Sequence, residues 1–169
     1  TVSELVTTQV VTEARTQYGC DTLTGGEFED EGGAGTGGSH WERRNSRNDI
    51  MAGVVGKEMR LSRMTLAVFA DSGHWTVKTD YAAEQMLWGY KAGCAFITEK
   101  CTTVASGVGR FWCSTANKQG CTALRRAEGF CAMTTSSSIP SHFQYFADAT
   151  QGGLASLMDY CPVVLGYSN

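Results

Sequence analysis

The spacing of apolar residues predicts a helix near the start of the chain. From residue 6 to residue 18 an apolar side chain recurs at every fourth position, which places these residues on one helix face: Val6, Val10, Ala14 and Tyr18. Gly19 follows at once and is a suitable residue to end the helix. Cys20 then stands where a disulfide could hold the helix end.

A second helix is predicted after Ser62, which is a good N-cap residue. It runs from Arg63 to about Ser72 and ends at Gly73. Its side chains are apolar nearly all round, so we expect the helix to be buried in a core. A shorter helical segment is predicted from Thr79 to Leu87.

A glycine-rich stretch separates these helices. Residues 25–38 contain seven glycines, and four acids stand in the first half: Glu27, Glu29, Asp30 and Glu31. This composition indicates a loop rather than a helix or a central strand. Two interpretations stay open, a flexible linker between domains or a loop that brings its backbone close to a site.

The cysteines change the character of the second half. The chain has seven, and six of them lie between residues 94 and 161 with no CxxC pair, so a zinc ribbon is not indicated. A disulfide framework formed in an oxidising compartment fits better, and the odd count leaves one cysteine over. We expect residues 94–161 to form a loop-rich module, with Thr134 to Ser138 in an exposed loop.

Bulk composition excludes several classes of protein. The 169 residues are 42% hydrophobic and 18% charged, which is typical of a folded globular chain and not of a disordered one. A net charge of -3 without a basic run gives no sign of nucleic-acid binding. No apolar stretch is long enough to span a bilayer. The chain begins at Thr1 with no signal peptide, so we expect it to be a piece of a larger protein.

Candidate chemistry centres on one of only three histidines, which are His40, His74 and His142. A lone histidine is more often structural than catalytic, and the chain contains no HExxH motif, the helical pair of zinc ligands. His40 differs because it ends the glycine-rich loop and Met51 follows eleven residues later. Metzincin peptidases require this arrangement, because their third zinc ligand comes from a loop and a Met-turn lies beneath the metal. We expect His74 at a helix end or surface and His142 in a structural position.

The stretch from Gly37 to Met51, GGSHWERRNSRNDIM, resembles the third-ligand and Met-turn region of the leishmanolysins. Further similar segments follow along almost the whole chain: SRMTLAVFADSG at 62–73, AEQMLWG at 83–89, GCAF at 93–96, QYF at 144–146 and MDYCPVV at 158–164.

The resemblance implies an α+β fold in which residues 1–93 form the C-terminal part of a metzincin catalytic domain, mainly helical and loop-rich. Residues 94–169 would form a disulfide-rich irregular module that is truncated here. His40 would be the third zinc ligand and Met51 the Met-turn methionine, with Trp41 to Ile50 as the link between them. Ala52 and Gly53 would help to form a substrate-pocket wall.

No catalytic residue is expected within the chain itself, since the general-base glutamate and the first two zinc ligands would lie upstream. The implied disulfides are Cys20–Cys94, Cys101–Cys161 and Cys113–Cys131, which leaves Cys121 unpaired.

The implied function is zinc-dependent metalloendopeptidase activity with one catalytic Zn²⁺ and with protein or peptide substrates. Its partners would be the missing upstream part of the same protein and a membrane reached only through an anchor outside the chain, with no nucleic acid. The protein would be extracellular or at the cell surface, lipid-anchored or secreted. The isolated fragment would be inactive. The alternative is an inactive relative that acts as an extracellular adhesion or binding module, which an altered upstream HExxH would indicate.

Overall fold

A computed structural model describes residues 2–56, 58–78 and 83–167. The chain forms two units, Thr1–Cys94 and Ala95–Asn169. In the first unit β1 (Glu4–Leu5) pairs antiparallel with β2 (Gly26–Glu27), and α1 (Thr8–Tyr18) lies between them in sequence. A single-turn α2 (Arg43–Ser46) and then α3 (Arg63–Asp71) follow.

The first predicted helix is confirmed with a later start. It begins at Thr8, and it ends where Gly19 takes a left-handed φ of 67°. Val10, Ala14 and Tyr18 are buried along one face, whereas Val6 precedes the helix and is 64% exposed. The apolar period therefore predicts the buried face correctly but overestimates the helix length by its first residues.

The second helix is also confirmed. The Ser62 hydroxyl accepts a hydrogen bond from the Thr65 N–H, and the helix ends at Asp71, two residues before Gly73. Burial is confined to the first half of α3, since Met64 and Leu66 are buried while Phe69 is 46% exposed. The expectation that this helix is buried in a core is therefore confirmed for its first half and wrong for its second half.

The predicted segment from Thr79 to Leu87 lies partly outside the described residues, because Thr79 to Ala82 are not described. Ala83 to Leu87 contain no helix. This segment is instead held by a main-chain hydrogen bond from the Glu84 N–H to the Leu61 carbonyl at 2.8 Å.

The second unit is built on a four-stranded antiparallel sheet, which the expected irregular module did not include. β4 (Glu128–Thr135) pairs with β3 (Gln119–Cys121), with β5 (Gln151–Gly153) and with β6 (Val163–Gly166). Because β4 extends to Thr135, the predicted exposed loop is limited to Ser136–Ser138.

The short α4 (Cys94–Thr98) carries Phe96 into the core of the second unit. There its ring contacts Phe111 edge-on at 5.0 Å and stacks on Trp112 at 5.5 Å, both measured between ring centroids. The expected mainly helical character is not found, because helix accounts for 24% of the structure. Turns between short elements make up much of the rest.

Three disulfides are present, Cys20–Cys94 in the first unit and Cys101–Cys161 and Cys113–Cys131 in the second. They are the pairs that the resemblance implies. Cys121 is free and exposed.

Candidate metal centre

His40 is half-buried at the end of the glycine-rich loop. The Glu29 N–H donates to the His40 carbonyl at 2.9 Å, which fixes the main chain. On the ring, Nδ1 lies 3.0 Å from the Ser39 hydroxyl and 3.3 Å from the Thr36 carbonyl oxygen. Among the described residues no hydrogen bond reaches Nε2, so this nitrogen is the one that can bind a ligand.

The glycine-rich loop folds back on itself to present this histidine. The N–H groups of Thr36 and Gly37 both donate to the Gly33 carbonyl, at 3.0 and 2.8 Å, around a single 3-10 turn. Gly38 takes a φ of 70°, a left-handed conformation that favours glycine, and its N–H donates to the Glu29 carbonyl at 2.8 Å. Glycine is therefore required here for a tight turn inside the first unit, and the interpretation as a linker between domains is wrong.

Met51 lies on the segment that runs beside the histidine. The Trp41 N–H donates to the Met51 carbonyl at 3.0 Å, and Trp41 forms a parallel bridge with Ala52. The Met51 N–H donates in turn to a carboxylate oxygen of Asp49 at 2.8 Å. The turn that carries the methionine is thus bonded to the residue immediately after His40.

A buried hydrogen-bond chain links this turn to α3. The Trp41 indole N–H donates to the Thr65 hydroxyl at 2.8 Å, and that hydroxyl donates to Asp49 Oδ1 at 2.6 Å. Trp41 and Asp49 are both 0% exposed. Burial raises the pKa of the Asp49 carboxyl, against the opposing effect of hydrogen bonds from Ser62, Thr65 and Met51.

The Trp41 ring packs so closely against Gly26 that a side chain at this position would clash with it. A side chain at Gly26 would place its Cβ 2.7 Å from the Trp41 ring, closer than real Cβ contacts come. Phe28 stacks on the same ring, with centroids 5.4 Å apart. The tryptophan that follows His40 is therefore packed against Gly26 and Phe28 of the first unit.

A group of acids near the loop has a structural explanation. Ligand atoms of Glu29, Asp30 and Glu42 lie within 4.8 Å of one another, and among the described residues this is the one group of three possible metal ligands. Glu29 already accepts from the N–H groups of Glu31 and Arg43, and Glu42 caps α2 by accepting from the Arg44 N–H. Burial raises the pKa of Glu29 and lowers the pKa of Arg43. The Glu29 and Glu42 carboxylates thus bind main-chain N–H groups, and His40 is not in the group.

Comparison with known proteins finds similarity along the whole chain. The family model for leishmanolysin, a peptidase family, matches residues 1–169. The chain belongs to the leishmanolysin family.

Its relatives within that family include leishmanolysin from Leishmania major, which is 40% identical over 162 residues covering 94% of this chain and 26% of the relative. The leishmanolysin homolog of Crithidia fasciculata is 40% identical over 171 residues, covering 98% and 25%. A leishmanolysin-like peptidase of Caenorhabditis elegans is 31% identical over 182 residues, covering 94% and 27%. The chain thus spans about a quarter of the length of the curated leishmanolysins that it matches.

The remaining two histidines of this leishmanolysin-family chain are both exposed. His74 is exposed just beyond α3, as expected, and its N–H donates to the Ser72 hydroxyl. His142 is exposed in the second unit and lies against the adjacent Phe143 ring. Neither belongs to a group of possible metal ligands among the residues that the structure describes.

Sequence reasoning missed the residues that support the centre, Thr36, Asp49 and Thr65. Thr65 had been assigned only to a helix, and Asp49 only to the link between histidine and methionine. Only Asp49 left a signal in the sequence, because aspartate often accepts a hydrogen bond from the main-chain N–H two residues later, here that of Met51.

Proposed function

We propose that this chain is part of a zinc-dependent metalloendopeptidase in which His40 is the third zinc ligand and Met51 the Met-turn methionine. The observation that carries the proposal is the main-chain bond between Trp41 and Met51, which joins the turn to the residue after the histidine. The other two ligands and the general-base glutamate would come from a part of the protein outside this chain.

The chemistry of His40 fits a zinc ligand. Imidazole nitrogen is a preferred zinc donor, and catalytic zinc takes three protein ligands and keeps one open position. A ligating histidine commonly donates its other ring N–H to a carbonyl or similar group. The contacts of Nδ1 with Thr36 and Ser39 supply such partners and leave Nε2 for the metal.

When bound, zinc would polarise the carbonyl of the bond to be cut and activate water at neutral pH. The role of this chain would be to hold one imidazole in place, through the contacts of Nδ1 and through the main chain that continues into the buried Trp41. The segment at Ala52 and Gly53 would form part of a wall for the substrate side chain. Substrates would be proteins or peptides.

We further propose an extracellular or cell-surface location, by secretion or by an anchor outside this chain. Three disulfides support it, because they persist in oxidising compartments. Among the described residues no helix has the length and apolar character needed to cross a membrane.

The test is His40→Ala in the complete protein, with bound zinc and peptide cleavage measured together. We expect both to be lost. His74→Ala is the matched control and should change neither, since His74 is exposed and outside the centre. Met51→Leu should keep the metal, because the two side chains have similar volumes. A His40→Ala protein with full activity and stoichiometric zinc would refute the assignment.

A further inference from the structure

Thr36 lies against Gly53, two residues after the Met-turn methionine. A Cβ added at Gly53 would overlap the Thr36 methyl carbon Cγ2, well inside the 3.0 Å below which real Cβ contacts are essentially never seen. The φ of Gly53 is not in the left-handed region, so a side chain at this position would be opposed by the Thr36 methyl group and not by the backbone conformation. The threonine side chain occupies the room that the missing side chain leaves.

The main chain of the same threonine faces the histidine. Its carbonyl oxygen lies 3.3 Å from His40 Nδ1, and it also accepts a hydrogen bond from the Ser39 hydroxyl at 3.1 Å. A serine hydroxyl has one proton, and we assign it to this bond because the Thr36 carbonyl can only accept, whereas Nδ1 can either donate or accept. The Ser39 oxygen, 3.0 Å from Nδ1, is then available only as an acceptor.

Two acceptors around one ring nitrogen determine which nitrogen carries the proton. With a proton on Nδ1, the ring donates to the Thr36 carbonyl or the Ser39 oxygen. With the proton on Nε2 instead, the lone pair of Nδ1 would face the lone pairs of the carbonyl. The Nδ1–H form is therefore favoured, and in it Nε2 carries the free lone pair that a metal needs.

We propose that Thr36 is a positioning residue for His40, and that its contact with Gly53 couples the Met-turn segment to the orientation and tautomer of the imidazole. The proposal rests on the proposed function only for its consequence, which is metal binding. The coupling itself concerns residues of this chain alone. Threonine suits the role because its branched side chain is restricted at χ1, so the methyl group can leave Gly53 only through a change of rotamer or a shift of the Thr36 main chain.

The experiment compares single and double variants at Gly53 and Thr36 by two measurements, the ring nitrogen shifts of His40 and the affinity for zinc. Gly53→Ala should displace Thr36, and Gly53→Ala combined with Thr36→Ala should restore the native arrangement. In the double variant the clashing methyl is gone, while the Thr36 Cβ lies an acceptable 3.5 Å from the added carbon. Gly35→Ala is the matched control, since it is in the same loop, has no positive φ and has no heavy atom within 4 Å of an added Cβ.

The first measurement is the ring nitrogen chemical shifts of His40 in the metal-free 169-residue chain, at a pH where the imidazole is neutral. We expect the Nδ1–H form in the unaltered chain, in Gly35→Ala and in the double variant, and a mixture of tautomers in Gly53→Ala. The second is zinc affinity in the complete protein, where Gly53→Ala should weaken binding by about 10-fold, as loss of an outer partner of a ligand usually does.

Unaltered ring shifts in Gly53→Ala, or an Nε2–H form in the unaltered chain, would overturn the proposal. So would a failure of Thr36→Ala to restore the shifts. If Gly53→Ala alone does not fold, Thr36→Ser gives the independent reading, because it removes the methyl group that meets Gly53 while keeping the carbonyl, and it should raise the Nε2–H fraction. The ring shifts do not depend on activity. If they behave as expected while His40→Ala keeps its zinc, the proposed function fails and the coupling stands.

Discussion

Thr65→Val tests whether the buried chain from Trp41 to Asp49 stabilises the first unit. The substitution keeps the shape of the side chain and removes only the hydroxyl. That hydroxyl accepts from the Trp41 indole N–H at 2.8 Å and donates to Asp49 Oδ1 at 2.6 Å. Since Trp41 and Asp49 are fully buried, water cannot replace the lost partner.

The expected cost follows from these two bonds. A neutral hydrogen bond contributes about 0.5–1.5 kcal/mol to stability, and one to a charged group about 1.5–3 kcal/mol. Loss of both should therefore lower the free energy of unfolding by about 2–4 kcal/mol.

The assay is urea unfolding with disulfides intact, followed together with hydrogen exchange of the Trp41 indole N–H. The exchange measurement is needed because the chain has two units, and a single whole-chain transition need not report on the first. The indole N–H should lose protection in Thr65→Val, and the unfolding midpoint of the first unit should fall.

Thr12→Val is the control, because Thr12 is an exposed helical threonine whose hydroxyl bonds only to the Thr8 carbonyl. It should stay within about 0.5 kcal/mol of the unaltered chain. If Thr65→Val behaves like this control in both measurements, the hydrogen-bond chain does not stabilise the turn from Asp49 to Met51, and our explanation of why this turn is held is mistaken.

Two further predictions concern carboxylates. Burial raises the pKa of Asp49, so the free energy of unfolding should fall as pH rises from about 4 through the raised pKa. Over that pH window Asp49→Asn should become more stable relative to the unaltered chain. Unfolding free energies of the two proteins that stay parallel across a pH series would contradict this. The second carboxylate is Asp71. Desolvation raises its pKa, but hydrogen bonds from the start of α1, including those from Gln9 and Val10, outweigh this effect and lower the pKa. Asp71→Ala should therefore cost about 1 kcal/mol near neutral pH. That cost should vanish as pH falls through the lowered pKa, while the exposed Asp21→Ala should cost nothing; an equal cost at all pH values would show that the capping bonds are not the cause.

Local signals predicted the two longer helices, α1 and α3, but they missed the short α2 and α4 and wrongly predicted helix at Ala83 to Leu87. Ser62 is an N-cap by its side-chain chemistry, and Gly19 and Gly73 mark helix ends because they adopt left-handed φ values that other residues avoid. The sheet of the second unit left no such signal. β3 and β5 have three residues each and include glycines, so alternation of apolar and polar positions has no length over which to show.

The residues of the candidate site also fall into two groups, those that a local motif predicts and those that only folding brings together. His40 and Met51 could be predicted because their spacing and neighbours form a motif, and their roles as ligand and Met-turn residue remain predictions. Thr65 could not be found, because it is 24 residues from Trp41 and meets it only through folding. The same is true of Thr36, whose contact with Gly53 depends on the path of two loops.

The disulfide between Cys20 and Cys94 has a consequence for how the first unit would respond to proteolysis. The bond joins residues 74 apart in sequence, so the glycine-rich loop, His40, Met51 and α3 all lie within one covalent ring. A single cut inside the ring would open it without releasing any fragment. While the disulfide is intact, the histidine of such a nicked chain would stay covalently attached to α1 wherever the cut fell. The nicked chain would run as one species on a non-reducing gel and as two after reduction.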